Sequence, residues 1–523
     1  MAMYYYASKL NEASCTGCHV KVPPAPTEPA PPPPTERPPP AGPALLHGSG
    51  LSYYDKDDYY SMVRGNTFMS EAACKHLVMN GGINYVSTQS VKPVSPYSEC
   101  PANKSDVEYK DGQIANASLD SLVEMLRPGA SKSFTFTFLL CSRLYIKPHE
   151  LLSKLCKRYF KNYDKVGKAE IKDARERELS DMVAIVRILN QWTSTFPYDF
   201  RDDRVMALVR SITQRCAAEH MGSVREQVSV MLEKLLEKLT ALEQYEETLG
   251  ESIQVSSADQ LAQGDILTLG LTSIELAKQL SIVELHRLSF VGPEEFVQSF
   301  VPKSKTTKNL EAYADWFNRL SYLVATDIVK AVKSKYRARV IEQWVMTARE
   351  CFNLGNFNSL MAIISALNMV PITRLKKTWS RTSSVCGQQL RQLELCVEPS
   401  GNHARYRAAL AAAPTDTAVP LLSVTCRDLH FANQSAPSKL PGNRVNFEKC
   451  CLLARHVTTQ LRSRQLTCDS PSVVPNRPPH PPVWRYLNDK PTLNENALEI
   501  TSFEREPPSD HHEKERLKRL RAH

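Results

Sequence analysis

The chain has 523 residues, enough for two to three ordinary domains, and its 42% hydrophobic and 23% charged content matches soluble globular averages. A net charge of +9, from 65 basic and 56 acidic residues, comes without the long Lys/Arg tracts of a nucleic-acid binder, so nucleic acid is not expected as a partner. The 14 cysteines are scattered, several among helical apolar residues (Cys141, Cys156, Cys216, Cys351), which reads as reduced, buried thiols and not as a disulfide framework.

The first residues, MAMYYYASKLNEASC, hold no apolar h-region, and nowhere do 18 apolar residues run together. The expected compartment is therefore the cytoplasm, with at most peripheral membrane contact. Between Pro23 and Pro43 twelve of twenty-one residues are proline. Proline lacks the amide hydrogen and fixes its own φ, so this segment is expected to be a stiff disordered spacer. An SH3 or WW domain is the partner such a tract would take if it is a ligand. The stretch onward to Lys110 is rich in Tyr, Ser, Gly and Asn, and is expected to be mostly unstructured.

A helical zone follows, from about Ala117 to Gly250. Leu119, Leu122, Val123 and Leu126 share one helical face, with Ser118 as a cap and Pro128 as a stop. Phe134, Phe136 and Phe138 alternate like a strand, yet the continuation LLCSRLYIKPHELLSKLCKRYF has helical composition, so a helix is predicted. Met182, Ile185, Val186, Leu189 and Trp192 recur at helical spacing. So do Val228, Met231, Leu232, Leu235, Leu239 and Leu242, in a long helix with a charged outer face. ESIQVSSADQLAQG (251–264) is polar and reads as a linker. Beyond it Ser273 is predicted to cap a helix carrying Leu276, Leu280, Val283, Leu285 and Leu288, which Gly292-Pro293 ends.

Motifs for covalent chemistry are missing. There is no GxxxxGK[ST], no GxGxxG after a strand, no HExxH and no GxSxG. CTGCH (Cys15 to His19) fits a haem-attachment pattern, but without an export signal it reads as chance. No Cys/His set has zinc spacing, so no metal and no cofactor is expected.

Longer segments carry a resemblance. NFNSLMAIISALNMVPITRLKKTW (Asn356 to Trp379) is similar to the core signature of the Cdc25-homology, or Ras-GEF, catalytic domain. NLEAYADWFNRLSYLVATDIV, RARVIEQWVMTARECFNLGNFNS, VPLLSVTCRDLHF and NRVNFEKC resemble its flanking blocks in the same order. Together with FPYDFRDDR, ALEQYEE and GPEEFVQSFV they make the chain similar to the Ras-GEF-domain-containing family 1. The resemblance covers about four-fifths of the chain and implies an all-α fold. Its expected parts are a disordered tail (1–110), a Ras-exchanger motif (111–250), a linker (251–264), a catalytic domain with a protruding helical hairpin (265–510) and a basic tail (511–523).

The implied function is guanine-nucleotide exchange on a Ras-superfamily small GTPase, Rap-type favoured and Ras the other candidate, without covalent chemistry. The hairpin helices are expected near Val419–Gln434 and Val445–Arg462, with His430 and Gln434, four apart and so on one face, at the tip facing the nucleotide site. Asn356, Asn358, Arg374, Lys376, Lys377 and Asn446 are the residues implied to meet the GTPase, the Asn356, Asn358 and Arg374 ends, with Lys376-Lys377, staying available for it. For Asn358 the residues alone offer a second role, a helix N-cap before Ser359 to Met369. Met361, Ile364, Ala366 and Leu367 are expected on one buried face.

Three features depart from the family pattern. Gln434 stands where related domains generally carry Glu, so a carboxylate is missing at the tip. Cys450-Cys451 replace larger residues in the second hairpin helix, which is expected to loosen its support. SPSVVPNRPPHPP (Ser470 to Pro482) reads as an inserted loop. The first two motivate the alternative, a GTPase-binding or scaffold protein that keeps the fold without turnover. The C-terminal HHEKERLKRLRAH is expected to be a solvated, frayed helix end, with weak attraction to anionic lipid as its other reading.

Overall fold

The computed structural model describes residues 106–160, 171–251, 264–300, 307–414, 418–462 and 480–522. The proline-rich tract, the CTGCH motif, most of the linker and most of the Ser470 to Pro482 insertion lie outside them. The described part is dominated by helices, as an all-α chain should be, with one small four-stranded sheet.

The N-terminal module opens with strands β1 (Val107–Lys110) and β2 (Gln113–Ala117). Val107–Lys110 was expected to be unstructured; it pairs with β2 through a turn at Asp111-Gly112, both at positive φ. Helix α1 (Leu119–Met125) starts on Ser118, whose hydroxyl accepts the Ser121 N–H at 3.1 Å. Helix α2 (Lys132–Ser142) contains the alternating phenylalanines, so the helical composition outweighed the strand-like spacing. Helices α3 (Pro148–Tyr159), α4 (Ile171–Thr195), α5 (Asp203–Arg215) and α6 (Gly222–Glu251) complete the module. Met182, Ile185, Val186, Leu189 and Trp192 are all buried in α4, while Val228, Met231, Leu235 and Leu242 are buried in α6. Buried Asp199 holds these helices together: Arg143, just past the end of α2, donates to it at 2.9 Å and the Trp192 indole N–H at 2.8 Å.

The body is a packed set of helices: α7 (Ser273–Ser289), α8 (Pro293–Gln298), α9 (Lys308–Lys330), α10 (Ser334–Asn353) and α11 (Phe357–Leu367). Thr272, and not Ser273, caps α7, because Thr272 and Glu275 exchange side-chain and backbone bonds in a capping box. Helix α11 is buried on every side apart from half-buried Met361, so it forms the centre of the body and not an amphipathic wall. Short α12 (Val370–Thr373) and α13 (Lys376–Trp379) follow, then α14 (Ser384–Val397) and α15 (Ser400–Ala412).

The chain then forms two helices that lie against each other, α16 (Leu422–Ser435) and α17 (Phe447–Gln460), joined through β3 (Lys439–Leu440) and β4 (Arg444–Asn446). Strand β4 is antiparallel to β2, with Asn116 opposite Asn446 and Ala117 opposite Val445, giving the sheet order β1-β2-β4-β3. Helices α18 (Pro481–Asp489), α19 (Glu495–Arg505) and α20 (His511–Ala522) close the body. Pro481 and Pro482, expected in a loop, open α18, where missing amide hydrogens cost nothing. The basic end is not a loose tail: Glu513 and Arg516 of α20 are ion-paired to Arg374 and to Glu499.

Candidate functional site

The hairpin is positioned by bonds that reach it from three directions. Gly355, at φ +75°, ends α10 where a Cβ would press on Ala418 at 3.2 Å; this lets Val419 pair with the chain entering α11. Val419 N–H donates to Gly355 O at 2.9 Å and Phe357 N–H to Val419 O at 3.0 Å. From below, the Tyr406 hydroxyl accepts the Leu421 N–H at 2.8 Å, and Arg407 donates to both oxygens of Asp428. Between the two helices, Thr425 donates to the Gln460 side-chain oxygen at 2.6 Å and Gln460 to Pro420 O at 3.3 Å.

The tip is braced from inside by Lys449. Its ammonium donates to Asn433 O, to Ala436 O at 2.9 Å and to the Ser438 hydroxyl at 2.9 Å, capping the free carbonyls at the end of α16. Burial lowers the Lys449 pKa. Asn446 caps α17 by accepting the Lys449 N–H at 3.1 Å and donates to Pro437 O at 3.1 Å. On the other side the N-terminal module meets the hairpin through the β2–β4 pairing, the Phe134–Phe447 ring contact at 5.5 Å, and the Tyr145 hydroxyl, which donates to Ser438 O at 2.9 Å.

The two expected tip residues both lie on α16. His430 is half-buried, and burial lowers its pKa, so the imidazole is neutral at neutral pH. Gln434 is exposed. Between them Phe431 leaves 41% of its surface open to solvent, although Leu429 and Ala432 on either side are buried. Phe431 and Lys449 were not singled out in the sequence. The available signals were an aromatic inside an otherwise polar helix end, and a Lys three residues after the capping Asn446.

The residues expected to stay available for a partner fall into two groups. Asn356, Asn358 and Arg374 have their polar groups turned inward, which corrects that expectation. Asn356, rather than Asn358, is the cap of α11, accepting the Ser359 N–H at 3.0 Å. Asn358, two residues further in, is buried, donates to both oxygens of Glu284 at 3.2 Å, and accepts the Leu422 N–H at 3.5 Å. Burial raises the Glu284 pKa. Arg374 grips Glu513 at 3.0 and 3.1 Å, Ser502 O at 3.0 Å and Glu506 O at 2.9 Å, with its guanidinium 4.1 Å over the Phe503 ring. These are contacts between the body and its last helices. Lys376 and Lys377, by contrast, are exposed. Asn446 is buried and bonded through both ends of its amide.

Nor does Cys450 leave a hole. Its side chain is buried 3.7 Å from the Tyr145 hydroxyl, and the Cys141 thiol donates to its carbonyl at 3.6 Å, so the N-terminal module fills in behind the hairpin.

A helical module joined by a strand pair and side-chain contacts to the hairpin of a helical body is the arrangement of a Ras guanine-nucleotide exchange factor. The RasGEF domain matches residues 275–451, and the RasGEF N-terminal motif matches 113–214. Human Ras-GEF domain-containing family member 1B is 39% identical over 449 residues, covering 79% of this chain and 92% of the relative. Member 1B-A of Danio rerio is 40% identical over 449 residues, covering 79% and 84%, and member 1C of Macaca fascicularis 38% over 440, covering 79% and 91%. The chain belongs to the Ras-GEF domain-containing family 1.

Proposed function

We propose that the protein accelerates GDP release from a Ras-superfamily small GTPase, Rap-type in preference to Ras, by pushing the α16 end of its hairpin against the switch region. The reading rests on one observation above all. The solvent face of α16 carrying Phe431 and Gln434 is backed by a bonded lysine and a strand pair, and so can press without folding back. Exposed Lys376 and Lys377 would steer an acidic switch surface toward the body.

No bond is made or broken in such a step. A nucleotide held near picomolar affinity is bound by about 16 kcal/mol, and destabilising that state by about 7 kcal/mol speeds release roughly 10⁵-fold. Contacts that form only as the nucleotide leaves can supply this. Cellular GTP in excess then sets the direction of loading.

Gln434 favours a second reading, a GTPase-binding protein of little turnover. An amide hydrogen-bonds but carries no charge, so it neither repels phosphate nor competes for the cations that hold it. Gel filtration with purified Rap and Ras proteins tests the first reading. A complex with the nucleotide-free form that excess GDP dissociates is expected; equal binding to the GDP-loaded and nucleotide-free forms would contradict a wedge.

A further inference from the structure

We propose that Cys141 and Cys450 are a redox-active pair that closes to a disulfide, bonding the N-terminal module covalently to the hairpin. The inference rests on the fold alone and is independent of the exchange reading.

The two residues belong to different modules and are 309 positions apart, yet they meet where α2 packs against α17. Cys141 Sγ lies 3.6 Å from Cys450 O, and Cys450 Sγ lies 3.7 Å from the hydroxyl of Tyr145, just past the end of α2. The Phe134–Phe447 contact fixes the start of the same helix pair, so the approach is set by packing and not by a loose loop. Neither cysteine is in a disulfide here.

The pair is also chemically divided. The Cys141 thiol, which donates to the Cys450 carbonyl, is held protonated by Cys450 beside it and by burial, while Cys141, the Tyr145 hydroxyl and Lys449 lower the Cys450 pKa. Thiolate character therefore gathers on Cys450, the sulfur that would react first. Neighbouring Cys451 is pushed up to about 11 by burial.

The chemistry balances with hydrogen peroxide as the oxidant. The Cys450 thiolate attacks one peroxide oxygen, an S–O bond forms, the O–O bond breaks and hydroxide leaves. The Cys141 thiol then attacks the sulfenic sulfur; the S–S bond forms, and the departing hydroxide takes its proton as water. Two electrons pass from the thiols to the peroxide. The new bond closes a loop of about 310 residues, which in the chain-entropy picture restricts the unfolded state strongly.

The test uses the full reduced chain, native, exposed to hydrogen peroxide, alkylated and digested without reduction for mass mapping. A Cys141–Cys450 linked peptide is expected, reversed by dithiothreitol, with a thermal midpoint raised by about 5 °C. Cys141→Ala and Cys450→Ala, each small enough for the buried site, should both abolish the link and the midpoint shift. Recovery of both thiols free, linkage of Cys450 to another cysteine, or a link formed only in denaturant would each overturn the proposal.

Discussion

The backbone of Ala117 pairs with that of Val445, so a strand of the N-terminal module is hydrogen-bonded to the strand that leads into the second hairpin helix. With Phe134 against Phe447 beside it, this seam makes the module part of the hairpin's support. Phe134→Ala removes a buried ring from the seam and should destabilise the protein by about 3 kcal/mol in chemical denaturation. Nucleotide exchange should fall as well, because the hairpin loses its backing.

Lys449 is the second support. Lys449→Met keeps the apolar stem and leaves two backbone carbonyls and the Ser438 hydroxyl without their donor. A loss of about 2 kcal/mol is expected. Hydrogen exchange should accelerate at residues 433–438 while α11 stays protected.

The exposed tip separates function from stability. Phe431→Ala should change stability by less than about 0.5 kcal/mol, since the ring is already open to solvent. An aromatic anchor at an interface is worth about 2 kcal/mol, so exchange should drop roughly 30-fold. Gln434→Glu is the opposite test. A large gain in rate with an unchanged thermal midpoint would identify the missing carboxylate as a kinetic defect.

Acid should weaken the fold through its histidines. Burial, with Arg427 and Arg407 nearby, lowers His403 to about 4, and burial lowers His286, His430 and His456 too. The unfolded chain binds these protons near pH 6.5 and the folded chain resists them, so stability is full above about 6.5 and declines as pH falls toward 4. His403→Asn, which tolerates the positive φ at that position, should flatten the slope by about 1 kcal/mol, a figure reduced because the ring is only half-buried.

Most signals that act within a few residues were read correctly, the cap of α7 excepted, and long-range ones were not. Ser118 as a cap and the apolar faces of α4 and α6 follow from spacing within a few residues. The sheet does not: QIANA has one aliphatic residue longer than Ala, and its partner strand lies about 330 residues further on. Arg374 looked like a surface cation because its acceptors, Ser502, Glu506 and Glu513, come 128 to 139 residues later. Asn356 and Asn358 were interchanged as caps because either fits the local pattern; only Glu284 of α7 draws Asn358 inward. At the tip, His430 and Gln434 were legible as helical neighbours, while the exposure of Phe431 depends on how α16 turns against α17.

Release of a fluorescent GDP analogue from purified Rap and Ras proteins, with the full chain at catalytic concentration, tests the central claim most directly. The account predicts release that is accelerated for at least one of them, Rap-type first, and slowed by Phe431→Ala. Release at the intrinsic rate for every member of the panel, by a folded protein, would contradict it.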